Sequence, residues 1–390
     1  MIATDKRRNR VLIVLLASLA TLVAFSIDIY LPAVPGLVRY FSSNMTTVQL
    51  TMSLFLLGYS VGQLFYGPFS DRFGRRITLL ISLSIYCVMT ILCLFAQSID
   101  VLIVFRFFQA VGACGAVVIV FAMVRDLFPI QERVKIYAYL TLAISVSPVL
   151  APIVGSYLNH WFGWRSTFVF LGVFGLILLL GVYWTLEETN KHLNTAAFNR
   201  FLGNYKSLLT HREFLIYVLC SSGAFAALFS FISTSSFIFI DMIGIPKQYF
   251  GYYFSLVAIT LMFGSYLTSR LTKHFHINRL ILAGALLICF GGLLLSVISL
   301  VLPLGRLDVM LPMAIAVFGV AIVMPTSTSG LMAPFSKKAG AASGLSGFLR
   351  FVIAGIIGTT ATFFLHKTAL PLGVALMVSG GLILSVLMLD

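Results

Sequence analysis

The chain is dominated by long apolar runs that are separated by short polar stretches. A helix that crosses a hydrocarbon core about 30 Å thick needs roughly 20 apolar residues, and runs of that length recur along the whole chain. The runs are continuous, whereas strands of a membrane barrel alternate between apolar and polar residues. We therefore predict an all-α membrane protein with twelve transmembrane helices, numbered span 1 to span 12 in chain order: 11–32, 45–68, 77–97, 101–124, 134–158, 166–185, 214–241, 248–270, 279–303, 309–333, 341–365 and 369–389.

The longest polar stretch divides the predicted spans into two sets of six. We expect an N-terminal six-helix half at residues 1–186, a cytoplasmic linker at 187–212 and a C-terminal six-helix half at 213–390. Both sets enter the membrane from the same side. The two halves are therefore expected to be repeats related by a pseudo-two-fold axis along the membrane normal.

Composition supports a membrane location, and the charge distribution predicts an orientation. Hydrophobic residues make up 60% of the chain and charged residues 10%, with a net charge of +14. With the N-terminus in the cytoplasm, the inner loops carry nineteen lysines and arginines and the outer loops carry five, while Arg106 and Arg350 lie inside spans. The positive-inside rule then predicts an inner-membrane protein with both termini cytoplasmic, and the basic residues require no nucleic-acid partner.

Residue patterns for metal, cofactor or enzyme chemistry are absent from the sequence. The five cysteines fall inside spans without metal-ligand or redox spacing. The chain has no glycine-rich loop ending in Lys-Ser or Lys-Thr that would bind the phosphates of ATP. Histidines and carboxylates do not cluster within the spans, so we expect neither a cofactor nor an enzyme active site.

The turn predicted between spans 2 and 3 reads GPFSDRFGRR and combines glycines, an acid and arginines: Gly67, Asp71, Arg72, Gly74, Arg75 and Arg76. A turn of about eight residues between two membrane helices requires glycine at its hinges. The charges can pair with one another or with a helix N-terminus of the facing half, which would hold the cytoplasmic side shut. An ordinary positive-inside turn would explain the arginines but not the acid and the glycines.

This turn resembles the signature between helices 2 and 3 of the major facilitator superfamily. In span 4, FRFFQAVG places Arg106, Gln109 and Gly112 at the positions of a motif associated in that superfamily with proton coupling. In span 5, SPVLAPIVGS resembles the Gly-Pro-x-x-Gly-Gly motif of proton antiporters. The residues concerned are small or helix-bending: Pro148, Ala151, Pro152 and Gly155.

Three shorter segments, IDIYLP, VRDLFP and GWRSTFVFLG, further resemble the bicyclomycin-resistance-like branch of the drug:proton antiporter-1 family. The resemblance implies a monomeric secondary transporter that exports small molecules, antibiotics among them, in exchange for protons by alternating access. A proton-coupled importer is disfavoured by the motif in span 5. A receptor that transports nothing is the alternative from a different functional class.

Asp28 interrupts the apolar run of span 1. It lies about four residues from the outer end of span 1, and Arg106 lies about five residues from the outer start of span 4, so both are roughly 6–8 Å below the boundary. We predict that the two side chains meet. Protonation of Asp28 would then break the ion pair and allow the halves to rock, which couples transport to protons. A purely structural ion pair or helix-end cap is the alternative.

Arg350 lies near the middle of span 11, where an unpaired charge costs several kcal/mol. Arg350 is expected either to form a pair across the two halves or to bind an anionic group of the substrate. The second alternative would indicate a carboxylate-bearing substrate such as a siderophore. The resemblance further implies a cavity between spans 1, 4, 7 and 10. Candidate substrate-binding residues combine polar and aromatic side chains: Tyr30, Gln109, Phe225, Phe229, Ser235, Thr326 and Arg350.

Overall fold

The computed structural model describes residues 6–190, 196–332, 334–335, 338–364 and 368–388. Within these ranges every regular element is helical. The elements are Lys6–Asp28, Leu31–Ala33, Val34–Tyr40, Met45–Phe73, Arg75–Leu94, Ile99–Leu127, Ile130–Phe162, Arg165–Thr185, Ala196–Leu209, Arg212–Ser236, Phe237–Met242, Lys247–Leu271, Ile277–Val301, Arg306–Met332, Ala339–Phe363 and Leu370–Met388. Linker residues 191–195 and the predicted ends of spans 10, 11 and 12 at 333, 365 and 389 lie outside the described residues.

Twelve of these segments are long and apolar enough to cross a membrane, which confirms the predicted number and order of the spans. Several helices are longer than the predicted spans, because hydropathy locates the hydrocarbon core whereas a helix continues into the headgroup region. Side chains cap the first turns of two spans. Asn44 accepts a hydrogen bond from the Thr47 backbone N–H at the start of span 2, and Ser98 does the same for Val101 in span 4.

Span 1 is broken near its end. Its first helix ends at Asp28, and a short 3-10 turn, Leu31–Ala33, leads into the helix Val34–Tyr40. Pro32 and Pro35 cause the break, since each removes a backbone donor and clashes with the preceding turn. The last turns of span 7, Phe237–Met242, are wound as a π-helix.

The spans pack in a pattern that repeats with a shift of six. Span 3 packs on spans 4 and 6, span 1 on span 5, and span 2 on span 4; likewise span 9 packs on spans 10 and 12, span 7 on span 11, and span 8 on span 10. This correspondence is that of two six-helix halves related by pseudo-two-fold symmetry. The halves meet along two seams, one between spans 2 and 11 and the other between spans 5 and 8.

The helix Ala196–Leu209, which connects the halves, marks one face of the bundle, here called the linker face; the opposite one is the far face. On the linker face Tyr205 of this helix donates a hydrogen bond to the Leu64 carbonyl of span 2 at 3.2 Å. Tyr205 also packs in one apolar cluster with Leu345 of span 11. The connecting helix therefore contacts both halves.

Candidate functional site

Arg106 is buried in the N-terminal half and holds several spans together. Its Nη1 donates to the Ser26 carbonyl at 3.2 Å and to Gln109 Oε1 at 2.8 Å. Its guanidinium lies over the ring of Phe55 at 4.1 Å and the ring of Tyr30 at 4.6 Å. Arg106 thus connects span 4 with spans 1 and 2.

Gln109 extends this network to span 3. Its Nε2 donates to Thr90 Oγ1 at 2.8 Å, while its oxygen accepts from Arg106. Ser26 in span 1 reaches the same helix, because its hydroxyl lies 2.9 Å from the hydroxyl of Tyr86. Buried polar groups of this kind are stable only when they are hydrogen-bonded to one another, and here they are.

The predicted ion pair between Asp28 and Arg106 is wrong for this structure. Asp28 is buried, with 3% of its surface exposed, but no described residue pairs with its carboxylate or donates a hydrogen bond to it. Ser26 occupies the side of span 1 that faces Arg106. Asp28 follows it by two residues, which turns its side chain roughly 200° around the helix axis. Equal depth in the membrane therefore does not bring the two charges together.

The turn between spans 2 and 3 is shorter than predicted. Span 2 continues to Phe73 and span 3 begins at Arg75, so only Gly74 lies between the helices. Gly74 has φ +100°, a conformation that favours glycine. Gly67 is inside the helix, and a Cβ at that position would meet nothing within 4 Å. The hinge role predicted for Gly67 is therefore wrong, since Gly74 alone makes the turn.

Arg75 is the buried centre of the charged motif. Its guanidinium pairs with Asp71 at 2.6 Å and with Asp126 of span 4 at 3.1 Å, and it donates to the hydroxyl of Ser70. Asp71 is one turn earlier on span 2. These charges were predicted to pair either with one another or with a helix N-terminus of the facing half. The described contacts of Asp71 show the first arrangement, in which the pairing stays within the motif and its own half.

Glu188, which follows span 6, caps the N-terminus of span 3. Its two carboxylate oxygens accept from the backbone N–H groups of Arg75 at 2.8 Å and Arg76 at 3.1 Å. A Cβ at Gly74 would overlap the Glu188 carboxylate. Asn190 then donates to the Asp71 carbonyl at 3.0 Å. The segment that leads into the linker is thereby bound directly to the motif.

Asp126 and Glu188 were not identified from the sequence as parts of this network. Asp126 lies in the VRDLFP segment and Glu188 is one of two adjacent acids. Asp126 lies in a segment used for the family resemblance, and Glu188 lies at the start of the predicted linker. Only the packing of spans 4 and 6 against span 3 brings the two acids to Arg75. Arg72 and Arg76 lie beside rings at the same face: Arg72 over Phe73 at 5.1 Å and Arg76 over Tyr183 at 5.7 Å.

The motif in span 5 forms a small-residue surface. Pro148 and Pro152 are inside the continuous helix Ile130–Phe162, and Ala151 is buried. A Cβ at Gly155 would overlap the Ile29 backbone, because the break of span 1 lies directly against it. The next residue, Ser156, accepts from the Gly251 backbone N–H of span 8 at 3.0 Å. This surface therefore contacts both span 1 and the other half.

A group of aromatic rings joins the halves at mid-depth. Phe351 of span 11 contacts Tyr59 of span 2 at 4.8 Å and Phe225 of span 7 at 4.7 Å between ring centroids, both edge-on. We call Tyr59, Phe225 and Phe351 the central aromatic group. Arg350 lies over the Phe351 ring at 5.5 Å. Partly buried side chains of spans 1 and 4 pack on the same apolar cluster as Phe351: Val23, Ile27 and Val118.

The remaining predicted substrate residues are packed away from any open space in this structure. Tyr30, Gln109, Phe229, Ser235 and Thr326 are all buried. The hydroxyl of Ser235 donates to the Ile232 carbonyl and that of Thr326 to the Ile322 carbonyl. The hydroxyl of a serine or threonine can donate its hydrogen bond to a backbone carbonyl of its own helix, so a polar residue in a span does not by itself indicate a cavity. Phe225 and Arg350 are the predicted residues that are partly exposed.

Tyr59 and Phe351 were missed by the sequence reasoning. The chain contains 35 phenylalanines and 15 tyrosines, and no motif distinguishes these two. In the part of the chain that the structure describes, no group of three or more His, Cys, Asp or Glu side chains could hold a metal ion.

The chain is similar to known proteins over most of its length. The family model described as Major Facilitator Superfamily matches residues 16–359. The bicyclomycin resistance protein homolog of Haemophilus influenzae is 29% identical, with 94% of this chain and 93% of that protein covered. Multidrug resistance protein D of Escherichia coli is 29% identical over 97% and 95%, and the chloramphenicol resistance protein of Pseudomonas aeruginosa 29% over 92% and 85%.

Among solved structures, a D-xylose-proton symporter superposes with a TM-score of 0.78 at 16% identity, covering 96% of this chain and 97% of that one. At this identity the likeness concerns the fold alone.

Proposed function

Because the chain belongs to the Major Facilitator Superfamily, we propose that it exports small molecules, antibiotics among them, in exchange for protons. It is a multi-pass inner-membrane transporter and not an enzyme. The observation that carries the export proposal is the match, over nearly the whole chain, to relatives named for resistance to bicyclomycin, chloramphenicol and multiple drugs.

Alternating access would operate through the two seams. We assign residues 1–186 and 213–390 as the moving halves and 187–212 as their linker. Near the far face Gln49 donates to the Ser233 carbonyl, and Thr359 donates to Ser53 Oγ at 2.6 Å. These bonds join spans 2 and 7 and spans 2 and 11. The far face would open only after they break, and the repeat symmetry supports a rocking motion of this type.

Proton coupling is assigned to Asp28, and Arg106 acts on it indirectly. Asp28 lies at the break of span 1, buried and without a described partner. Arg106 fixes the helix backbone at Ser26, two residues before Asp28. Protonation neutralises the carboxylate and removes the penalty of burying its charge. Loss of the proton would favour a state in which Asp28 is wetted or paired, so the protonation state biases the two conformations.

The charged motif is assigned as the gate of the linker face, which we place in the cytoplasm from the positive-inside pattern. Asp71, Arg75 and Asp126 join span 2 to span 4, and Glu188 adds the segment after span 6. This network makes the linker-face ends of those spans move as one body. The antiporter motif with Pro148 and Gly155 favours exchange over proton-coupled import.

Purified protein in liposomes with pyranine trapped inside tests the proposal. External chloramphenicol or bicyclomycin should raise the internal pH, because an antiporter releases one or more protons for each molecule taken up. Asp28→Asn should abolish the pH change. Asp100→Asn, which alters an exposed acid in the first turn of span 4, should leave it intact. A fall in internal pH would indicate a symporter and hence an importer, and no change with folded protein would favour a receptor.

A further inference from the structure

Arg350 carries a charge that nothing in the described structure neutralises. No described carboxylate pairs with it, and no described residue accepts a hydrogen bond from its guanidinium. Its Nε is buried without a partner. By contrast, Arg106 and Arg75, which are also buried, each have several acceptors. An arginine has five N–H donors and stays charged, so a bare guanidinium inside the bundle indicates a missing acceptor.

Arg350 lies deep along its helix, with its side chain partly exposed and its Nε buried. Its helix, Ala339–Phe363, begins eleven residues earlier, which places Arg350 roughly 16 Å from that end at 1.5 Å per residue. Asp28, the acid buried in span 1, lies at the other end of its own helix, Lys6–Asp28. The two groups do not form a pair in the described contacts.

The surroundings of Arg350 are apolar and aromatic. The central aromatic group supplies rings from spans 2, 7 and 11, and Phe351 holds the guanidinium against its face at 5.5 Å. Val23 and Ile27 of span 1 and Val118 of span 4 pack nearby and are only partly buried. Spans from both halves thus converge here around one cation, and apolar and aromatic side chains around a single charged group are the chemical composition typical of small-molecule sites.

We propose that Arg350 binds a carboxylate of the transported molecule, and that the chain exports apolar or aromatic carboxylates. The inference rests on the proposed export function and names its substrate class. A carboxylate matches the planar fork of the guanidinium with two parallel hydrogen bonds, whereas a neutral group satisfies fewer donors. The apolar part of the molecule would contact the central aromatic group. Because Tyr59 and Phe351 belong to different halves, a bound ligand would also bridge the seam between spans 2 and 11.

Two matched pairs of compounds test the proposal, since the members of each pair differ in a free carboxylate. The hemisuccinate of chloramphenicol is compared with its own methyl ester, and 1-naphthoate with methyl 1-naphthoate. Dissociation constants are measured by titration calorimetry on the purified full-length protein. The wild-type protein should bind the carboxylate member at least about tenfold more tightly, as expected for a charge-assisted bidentate contact. This preference requires no variant, so it is independent of any folding defect.

Arg350→Gln should remove the preference by weakening binding of the carboxylates about tenfold or more, while binding of the neutral members changes less than about twofold. Arg350→Lys keeps the positive charge but loses the planar guanidinium that makes two parallel hydrogen bonds. This variant should retain part of the preference for the carboxylate members. Arg306→Gln is the matched control, because Arg306 also lies over a ring, that of Tyr253 at 5.8 Å, but at the exposed start of span 10. That variant should bind both members as the wild type does.

Several results would overturn the inference: equal wild-type affinity for both members of each pair, no binding of either carboxylate, or an equal loss for both members in Arg350→Gln. An equal loss would assign Arg350 a structural role through Phe351. Failure of the export proposal is distinguishable, because it would appear as selective carboxylate binding without any substrate-evoked pH change in liposomes. Conversely, proton-coupled export of neutral and acidic members alike would retain the function and reject the carboxylate site.

Discussion

Arg106 donates to the backbone carbonyl of Ser26 and not to the carboxylate of Asp28, with which it was predicted to pair. The consequence is a division of roles. Arg106 is a positioning residue that fixes span 1 immediately before its break, and Asp28 is the proposed proton carrier. Arginine suits the first role because its Nη1 donates to both the Ser26 carbonyl and Gln109 Oε1 while the planar face of its guanidinium lies on Phe55.

Arg106→Lys should therefore lower both stability and transport, although the substitution retains the positive charge. A lysine cannot satisfy the Ser26 carbonyl and Gln109 Oε1 while also stacking on Phe55, and an unsatisfied buried acceptor costs about 1–3 kcal/mol. We expect a lower unfolding temperature for the detergent-purified protein and loss of substrate-evoked pH change. Arg270→Lys is the control, since Arg270 is exposed and contacts the Tyr266 hydroxyl at 3.1 Å. Wild-type stability in Arg106→Lys would contradict the positioning role.

Asp28→Asn should separate proton coupling from substrate movement. A permanently neutral side chain imitates the protonated carboxyl, so the halves can still rock with substrate bound. We expect substrate exchange across equilibrated liposomes to persist within about threefold, whereas accumulation driven by a pH gradient falls to background. Radiolabelled chloramphenicol measures both rates. Accumulation that follows the pH gradient in the variant would reject Asp28 as the coupling residue.

Gly155 should tolerate no larger side chain, because span 1 lies against it. Gly155→Ala places a methyl group on the Ile29 backbone and forces the two spans apart, which we expect to destabilise the protein by about 1–3 kcal/mol, the usual range for overpacking. Gly381→Ala is the matched control in span 12, where a Cβ meets nothing within 4 Å. That substitution should be neutral or stabilising by up to about 1 kcal/mol from helix propensity. Thermal unfolding of the two variants in parallel measures the difference.

Glu188→Ala should weaken the gate of the linker face. The substitution removes two hydrogen bonds from the N-terminus of span 3 and is expected to cost about 1 kcal/mol, as for other helix N-caps. Glu213→Ala removes an acid from the first turn of span 7, where no backbone hydrogen bond to that carboxylate is described. A larger loss of stability and transport for Glu188 than for Glu213 supports the capping role, and equal effects would argue against it.

The spans were predictable from the sequence, whereas the contacts of the site were not. Asp28 and Arg106 were correctly identified as buried charged residues, because a charged residue inside an apolar run can be recognised from the sequence without knowing the fold. The prediction that they form an ion pair was wrong, because depth in the membrane does not specify the direction in which a side chain points around its helix axis. The motif around Arg75 was recognised, but its partners Asp126 and Glu188 come from spans that are distant in the chain.

By itself the sequence determined that this chain has twelve membrane helices in two halves, and it located a charged turn, a small-residue helix face and three charged residues within spans. Transfer of a side chain between water and lipid depends on that side chain and its neighbours in the chain, so hydropathy and composition suffice for these features. Tertiary structure alone decided that Ser26 and not Asp28 faces Arg106, and that Arg350 lies among the central aromatic rings without a counter-charge. Those relationships depend on the rotation of each helix and on contacts between spans that are far apart in sequence.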